Sequence, residues 1–110
     1  MDDNSKTYYI YVLRCLDNSL YTGITTDVKR RFSEHTQRQS SGEKYTRSRK
    51  PHSIEIIWSC PSRSIASKLE YAFKKLPKIK KEEIISEPYL LKTYLEDKIN
   101  TDIYFLEDID

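Results

Sequence analysis

The chain has 110 residues, of which 37% are hydrophobic and 33% charged, so it is long enough for one domain with a modest core. No apolar run approaches the roughly 20 residues of a membrane-spanning helix, and the polar start MDDNSKT is unlike a secretory signal. Cys15 and Cys60 stand apart in the sequence, which predicts buried, reduced thiols in a cytoplasmic protein and argues against a structural zinc site.

The net charge of +2 conceals an uneven distribution. Residues 4–81 carry 17 Lys and Arg against 6 Asp and Glu, a net charge of +11, whereas residues 82–110 carry 2 against 9, a net charge of −7. A basic body of this kind is either a solvated surface or a surface that binds a polyanion. We favour nucleic acid over a membrane, because no amphipathic apolar face accompanies the charge.

The first part of the chain predicts a β-hairpin and a helix. Residues 8–15 alternate in polarity and are rich in aromatic and β-branched side chains, LDNS supplies a turn, and SLYTGI returns as an antiparallel strand. Gly23 near the end of that strand indicates a bulge or a close backbone approach. A helix from about residue 27 to 39 follows, capped by Thr25 or Thr26 and with Val28 and Phe32 in its apolar stripe.

The second part predicts a basic loop, a third strand and further helices. QRQSSGEKYTRSRKPHS has no periodicity, IEIIWS is a strand, and a helix capped by Ser62 or Ser64 runs to about residue 76, before Pro77. KIKKEEIIS and PYLLKTYLEDKI predict helices, and TDIYFLEDID a short strand, an ordered clamp or a frayed end. The predicted fold class is α+β: a small three-stranded, mainly antiparallel sheet flanked by helices (ββαβα), with a C-terminal helical extension.

Three groups of side chains are candidates for chemistry, and each also has an ordinary explanation. Arg31 and His35 share one helix face and could simply be solvated. Glu70 lies at the boundary of an apolar stripe and could form an ion pair with Lys74, four residues on. The tyrosines of the hairpin could be packing residues whose hydroxyls reach water.

In combination, these residues resemble the GIY-YIG nuclease superfamily. Its two motifs correspond to YIY at Tyr9–Tyr11 and YTG at Tyr21–Gly23, with Tyr9 in place of a glycine and Thr22 in place of an isoleucine. KYTRSRKP and AFKKL are similar to the small stand-alone bacterial branch of that superfamily. The resemblance implies a nuclease domain over residues 7–85, and it leaves residues 86–110 as an acidic C-terminal helical extension.

The resemblance also implies roles for single residues. Tyr11 and Tyr21 would be the motif phenols and Gly23 the motif glycine, while Arg31 would hold the scissile phosphate and His35 would assist proton transfer.

The same resemblance implies a cofactor and an interface. Glu70 would anchor one Mg²⁺ or Mn²⁺, with water and substrate phosphate completing the octahedron. A polar residue, often Asn, that some members use after the glutamate has no clear equivalent in KIKKEEII. The side chains expected to hold the nucleic-acid backbone are Lys44, Tyr45, Arg47, Arg49, Lys50, Lys74, Lys75 and Lys78.

The resulting prediction is a metal-dependent endonuclease with little sequence specificity, acting on DNA more than on RNA. The alternatives are a nucleic-acid-binding module that cleaves poorly or not at all, and a protein-interaction domain whose acidic tail recruits a basic partner. We further expect residues 82–110 either to fold over the basic face as an autoinhibitory competitor for polyanion or to form an extra packing helix.

Overall fold

The protein is described from a computed structural model, which covers residues 6–40 and 50–109. Its elements in chain order are β1 (Tyr8–Cys15), β2 (Leu20–Thr25), α1 (Val28–Ser40), β3 (Pro51–Cys60), α2 (Arg63–Lys74), α3 (Lys78–Ser86), α4 (Leu90–Leu95), a 3-10 turn (Thr101–Ile103) and β4 (Phe105–Glu107). The strands form one antiparallel sheet in the order β2-β1-β3-β4.

The predicted α+β class is confirmed, with two corrections in the C-terminal part. The sheet has four strands rather than three, because Phe105–Glu107 pairs with β3. The segment PYLLKTYLEDKI is helical only over Leu90–Leu95, so the extension is not wholly helical. In the described ranges, no helix is long and apolar enough to cross a membrane. Both cysteines are buried thiols, as expected.

The hairpin between β1 and β2 is closed by a local network of polar groups. Asn18 adopts a left-handed backbone with φ of 72°, a conformation that asparagine tolerates better than most residues. The carboxylate of Asp17 accepts hydrogen bonds from the backbone N–H and the hydroxyl of Ser19, at 3.0 and 2.6 Å. The LDNS turn predicted from the sequence is therefore formed as expected.

The sheet buries side chains on both of its faces, because successive residues of a strand point to opposite sides. Ile10 and Val12 of β1 belong to a large core with α2, α3 and α4, whereas Tyr11 and Leu13 belong to a smaller cluster under α1. Helix α2 therefore lies on one face of the sheet and α1 on the other. This separation decides where the candidate site residues lie.

A β-bulge in β3 lets Ile54 and Ile56 pack on opposite faces of the sheet. Val12 pairs with Ile56 but Leu13 pairs with Ile54, which leaves Glu55 as an extra residue. In a regular strand Ile54 and Ile56, two residues apart, would point to the same face; because Glu55 forms a bulge, Ile56 enters the large core and Ile54 packs in the cluster under α1.

The C-terminal extension is part of the large core. Leu91, Leu95 and Tyr104 are 5%, 1% and 7% exposed, and the Tyr104 hydroxyl donates a hydrogen bond to the Ile65 carbonyl at 2.5 Å. Truncation after residue 81 would remove these side chains. Autoinhibition by the acidic tail stays a prediction, to be tested by neutralising exposed acidic residues such as Asp108 rather than by truncation.

An ion-pair network joins β1 to α3. The Arg14 guanidinium donates to both carboxylate oxygens of Glu82, at 2.5 and 2.6 Å, and to Glu55 at 3.2 Å, and Lys78 reaches Glu82 at 3.0 Å. The hydrogen bonds from Arg14 are the main reason that the pKa of Glu82 falls from 4.5 to about 2.

Replacing Glu82 with Gln should therefore lower the free energy of unfolding at neutral pH by about 1–2 kcal/mol. Because the folded-state pKa lies below the unfolded one, the stabilisation is present above pH 4.5 and is lost as the pH falls towards 2. Chemical denaturation from neutral pH down to about pH 3 should show the two proteins converging. Glu96→Gln, at an exposed glutamate, is the control; a constant difference at every pH would contradict the account.

Candidate active site

Tyr11 lies at the centre of the candidate site, and its ring crosses directly over Gly23. The two residues are paired across β1 and β2, and Tyr11 is only 1% exposed. A Cβ atom at position 23 would lie 2.5 Å from the Tyr11 hydroxyl oxygen and 2.8 Å from the ring carbon that bears it. The pairing runs without a shift through Gly23, so no bulge forms there, and the expected close approach is made by the phenol of Tyr11.

Replacing Gly23 with Ala should displace the Tyr11 ring and lower both stability and any activity that needs its hydroxyl. We expect a loss of about 1–3 kcal/mol in the free energy of unfolding, as for other overpacked sites. Chemical denaturation measures this loss, and Ser33→Ala, at an exposed position of α1, is the control. An unchanged stability together with unchanged side-chain signals of Tyr11 would contradict the predicted clash.

Tyr11, Tyr21, Arg31 and His35 come together from three elements. The Tyr11 hydroxyl oxygen lies 3.4 Å from Nε2 of His35, and the rings of Tyr21 and His35 meet edge to face with centroids 5.1 Å apart. The Tyr11 and Tyr21 centroids are 6.3 Å apart, and the Arg31 side chain lies close enough to Tyr11 to lower the pKa of its phenol.

The elements place these side chains for simple reasons. Val28 and Phe32 anchor α1 to the sheet, and Arg31 and His35 then project from the helix on a neighbouring face, one turn apart. β2 is an edge strand, so Tyr21 remains 42% exposed while it contacts the cluster.

The hydrogen bond between Tyr11 and His35 can run in either direction, depending on the tautomer of His35. When Nε2 carries no proton, the Tyr11 O–H donates to it; when Nε2 is protonated, it donates to the Tyr11 oxygen. A guanidinium only donates, so Arg31 can interact with the Tyr11 oxygen in both cases. In the first tautomer the cluster can pass a proton from Tyr11 to His35.

Burial governs the acidity of Tyr11. It raises the pKa of the phenol to about 12, with a further contribution from Tyr21. The interactions with Arg31 lower this pKa, but burial outweighs them. Tyr11 keeps its proton at neutral pH.

Arg31 also has an acidic partner that the sequence analysis did not single out. Its Nη1 lies 3.2 Å from Oε1 of Glu34, three residues along α1, and the Arg31 side chain is 33% exposed. The spacing of three residues between Arg31 and Glu34 was the available signal for this pair. A phosphate that binds Arg31 has to compete with the Glu34 carboxylate.

Replacing Glu34 with Gln should consequently tighten the binding of nucleic acid by about 1.5- to 5-fold, the range expected from losing a partly exposed ion pair. Anisotropy of a labelled oligonucleotide at fixed salt measures the change. Glu87→Gln, an exposed glutamate outside the cluster, controls for the loss of one negative charge. Equal gains in both variants would show that only net charge matters.

Glu70 does not contact the phenols in this structure. It lies on α2, on the opposite face of the sheet from α1, and its carboxylate pairs with Nζ of Lys74 at 3.2 Å, the ordinary explanation considered above. Its side chain is 24% exposed. Helix α2 also packs against β2, the edge strand that carries Tyr21, so the route from Glu70 to the cluster runs around that edge.

Glu70 is the candidate ligand for a divalent cation, and it would hold such an ion weakly. Within residues 6–40 and 50–109, no group of three or more His, Cys, Asp or Glu side chains is placed to hold a metal. Glu70 alone can supply one carboxylate to a hard cation such as Mg²⁺, provided that Lys74 gives way and that water and phosphate supply the other oxygens.

The predicted nucleic-acid interface is only partly described. Lys44, Tyr45, Arg47 and Arg49 lie outside the described residues, and Lys50 is half-buried at the start of β3. Lys74 of α2 forms a salt bridge to Glu70, and Lys78 of α3 forms one to Glu82. The ammonium of Lys75 lies 4.9 Å from the ring centroid of Tyr71. The sequence analysis did not select Tyr71 as a candidate, although it is an aromatic residue among cations.

Comparison with known proteins agrees with this architecture. The model of the GIY-YIG catalytic domain family matches residues 7–83, and the chain belongs to that family. Its relatives are small stand-alone bacterial UPF0213 proteins. One from Fusobacterium nucleatum is 51% identical over 81 residues, which cover 74% of this chain and 79% of the relative, and one from Limosilactobacillus reuteri is 46% identical over 83 residues, covering 74% and 84%.

A solved structure is also similar. The solution NMR structure of a UPF0213 protein from Bacillus halodurans is 42% identical, covers 81% of this chain and 96% of its own, and has a TM-score of 0.48. The family match ends at residue 83, so α4 and β4 lie beyond the catalytic domain as that model defines it.

Proposed function

We propose that this protein is a divalent-metal-dependent endonuclease that hydrolyses phosphodiester bonds in nucleic acid, in DNA more than in RNA, with little sequence specificity. The observation that carries the proposal is the contact between Tyr11, Tyr21, Arg31 and His35 inside a GIY-YIG catalytic domain. Two phenols, a guanidinium and an imidazole supply the proton transfer and charge stabilisation that hydrolysis of a phosphodiester requires.

Arg31 is the proposed phosphate-binding residue. Its planar guanidinium remains charged and can donate to two phosphoryl oxygens at once. The group lies beside Tyr11, and its Nη1 meets Glu34. A phosphate that replaces Glu34 would therefore bind at the edge of the phenol cluster.

Tyr11 and His35 are the proposed proton relay. With a pKa of about 12, Tyr11 is protonated at neutral pH, and the neutral phenol is a poor base. If it hands its own proton to His35 while accepting one from the attacking water, a buried phenolate never accumulates. The 3.4 Å separation between the Tyr11 oxygen and Nε2 has to shorten for this transfer, as catalytic hydrogen bonds often do on substrate binding.

Glu70 is the proposed ligand for Mg²⁺ or Mn²⁺. A cation bound there supplies charge stabilisation for the phosphoryl and departing oxygens. Because one carboxylate binds such an ion weakly, metal and nucleic acid should bind together. Lys74 neutralises Glu70 in the absence of the ion and would be released to solvent or to phosphate.

The main alternative is a nucleic-acid-binding module with little or no turnover. Two observations favour it: the carboxylate of Glu70 is paired with Lys74 on the other face of the sheet, and the Tyr11 hydroxyl is covered. Under this alternative the basic surface still binds nucleic acid, and the phenol cluster is a packing device for α1.

The two functions are separated by cleavage assays with Mg²⁺ or Mn²⁺ on single-stranded, double-stranded and branched DNA and on RNA. The endonuclease should cleave DNA, stop on addition of a chelator, and lose about 10²-fold or more in rate in Glu70→Gln while binding is retained. Glu87→Gln is the matched control at an exposed glutamate. Binding without turnover for every metal and substrate would leave the binding module.

A further inference from the structure

A second surface of α2 carries an exposed aromatic ring among cations. It is a shallow depression lined by Arg63, Ser64, Ser67, Lys68 and Tyr71, which we call the α2 patch. Tyr71 is 66% exposed, whereas Ala66, Leu69 and Phe73 of the same helix are fully buried in the large core. The Tyr71 ring is therefore not required for packing of the core.

The two charged residues of the α2 patch, Arg63 and Lys68, are both cations. Positions 64, 68, 71 and 75 follow the three- and four-residue spacing of one helix face, and Nζ of Lys75 sits 4.9 Å from the Tyr71 centroid. The first turn of α2 contains no acidic residue, so the partial positive charge of the helix start is not offset there. Glu70, adjacent in sequence, is already paired with Lys74.

An exposed ring flanked by cations fits an unpaired nucleotide. Any base can stack on an aromatic face, and lysine or arginine beside the ring can contact the phosphates on either side of it. In a duplex the faces of the bases are covered by their neighbours, so only single-stranded nucleic acid could use Tyr71 in this way. Charge complementarity argues for a polyanion over a neutral or basic protein partner.

We propose that the α2 patch binds single-stranded nucleic acid, with one base stacked on Tyr71 and adjacent phosphates held by Arg63 and Lys68. This inference rests on the proposed function, because it names the class of substrate: a nucleic acid with an unpaired segment. The same helix carries Glu70, so a strand held by the patch lies along the element that would hold the cation. Lys75 orients the ring and adds a further cation.

The test is binding in the presence of a chelator, measured by anisotropy with a labelled single-stranded oligonucleotide and with its duplex. Tyr71→Ala should weaken single-strand binding by at least about fivefold and change duplex binding by less than about twofold. Tyr71→Phe, which keeps the ring, should bind like the unmodified protein. Tyr89→Ala, at a ring that is 70% exposed elsewhere on the surface, should change neither affinity.

Equal weakening for single strand and duplex would overturn the proposal, since the patch would then contact only the backbone. Unchanged single-strand binding in Tyr71→Ala would overturn it as well. Thermal unfolding should be the same for Tyr71→Ala and the unmodified protein, because the side chain is exposed. The binding assay contains no metal, so its result does not depend on whether the protein cleaves nucleic acid. Conversely, a protein that does not bind single strands through Tyr71 could still be a nuclease.

Discussion

Replacing Arg31 with Ala should lower the rate of DNA cleavage by about 10²- to 10³-fold. The guanidinium lies beside Tyr11, and its loss would remove the charge proposed to stabilise the phosphoryl oxygens. Single-turnover rates at saturating protein separate this effect from weaker binding. Arg31→Lys should recover only part of the rate, because an ammonium cannot contact two oxygens in a fixed plane.

Arg30→Ala is the matched control for Arg31→Ala. Arg30 is the preceding residue of α1, its side chain is 63% exposed, and it lies 4.0 Å from the same Glu34. Its removal subtracts the same charge, so it should weaken DNA binding modestly and leave the single-turnover rate within a few-fold of the unmodified protein. If both variants lose rate equally, Arg31 acts only through the general charge of the helix.

Replacing Tyr11 with Phe should lower the cleavage rate by about 10²-fold or more while the fold persists, since the ring that packs under α1 is kept. The loss follows from removing the hydroxyl that contacts His35. Single-turnover cleavage gives the rate, and circular dichroism confirms the fold.

Tyr9→Phe is the control for that substitution. Tyr9 lies two residues earlier on β1, on the same face of the sheet, and packs against the same cluster. It should retain activity. A Tyr11→Phe variant that cleaves at the rate of the Tyr9→Phe variant would remove Tyr11 from the proton relay.

Much of the hairpin and α1 could be predicted because the signals are local. A turn at Asp17 and Asn18, a helix start near Val28 and a four-residue spacing between Arg31 and His35 depend on neighbouring residues alone. The use of phenols in β1 is explained in part by the structure, because Tyr11 combines a buried ring with a hydroxyl that meets Arg31.

Features that depend on long-range packing were not predictable. β4 could be offered only as one of several possibilities, since three exposed residues become a strand through pairing with β3. The bulge at Glu55 follows from the need to send Ile54 and Ile56 to different faces. The raised pKa of Tyr11 depends on burial beneath α1, which the sequence does not quantify.

Glu70 shows the limit of helical periodicity. Its place beside an apolar stripe correctly indicated a partly buried position, and its spacing from Lys74 indicated an ion pair that is formed. Periodicity within α2 could not tell which face of the sheet the helix would cover. The connection from β3 to α2 determines which face of the sheet α2 covers, and the covered face determines how far Glu70 lies from the phenols.

The central claim is that Glu70 and the phenol cluster act on one phosphate around the β2 edge. A crystal structure of the protein with Mn²⁺ and DNA that has a non-hydrolysable backbone tests it most directly. We predict one ion that contacts both Glu70 and a phosphate whose oxygens also reach Arg31, and no such ion in Glu70→Gln. An ion at Glu70 with the phosphate out of reach of Arg31, Tyr21 and His35 would contradict a shared site.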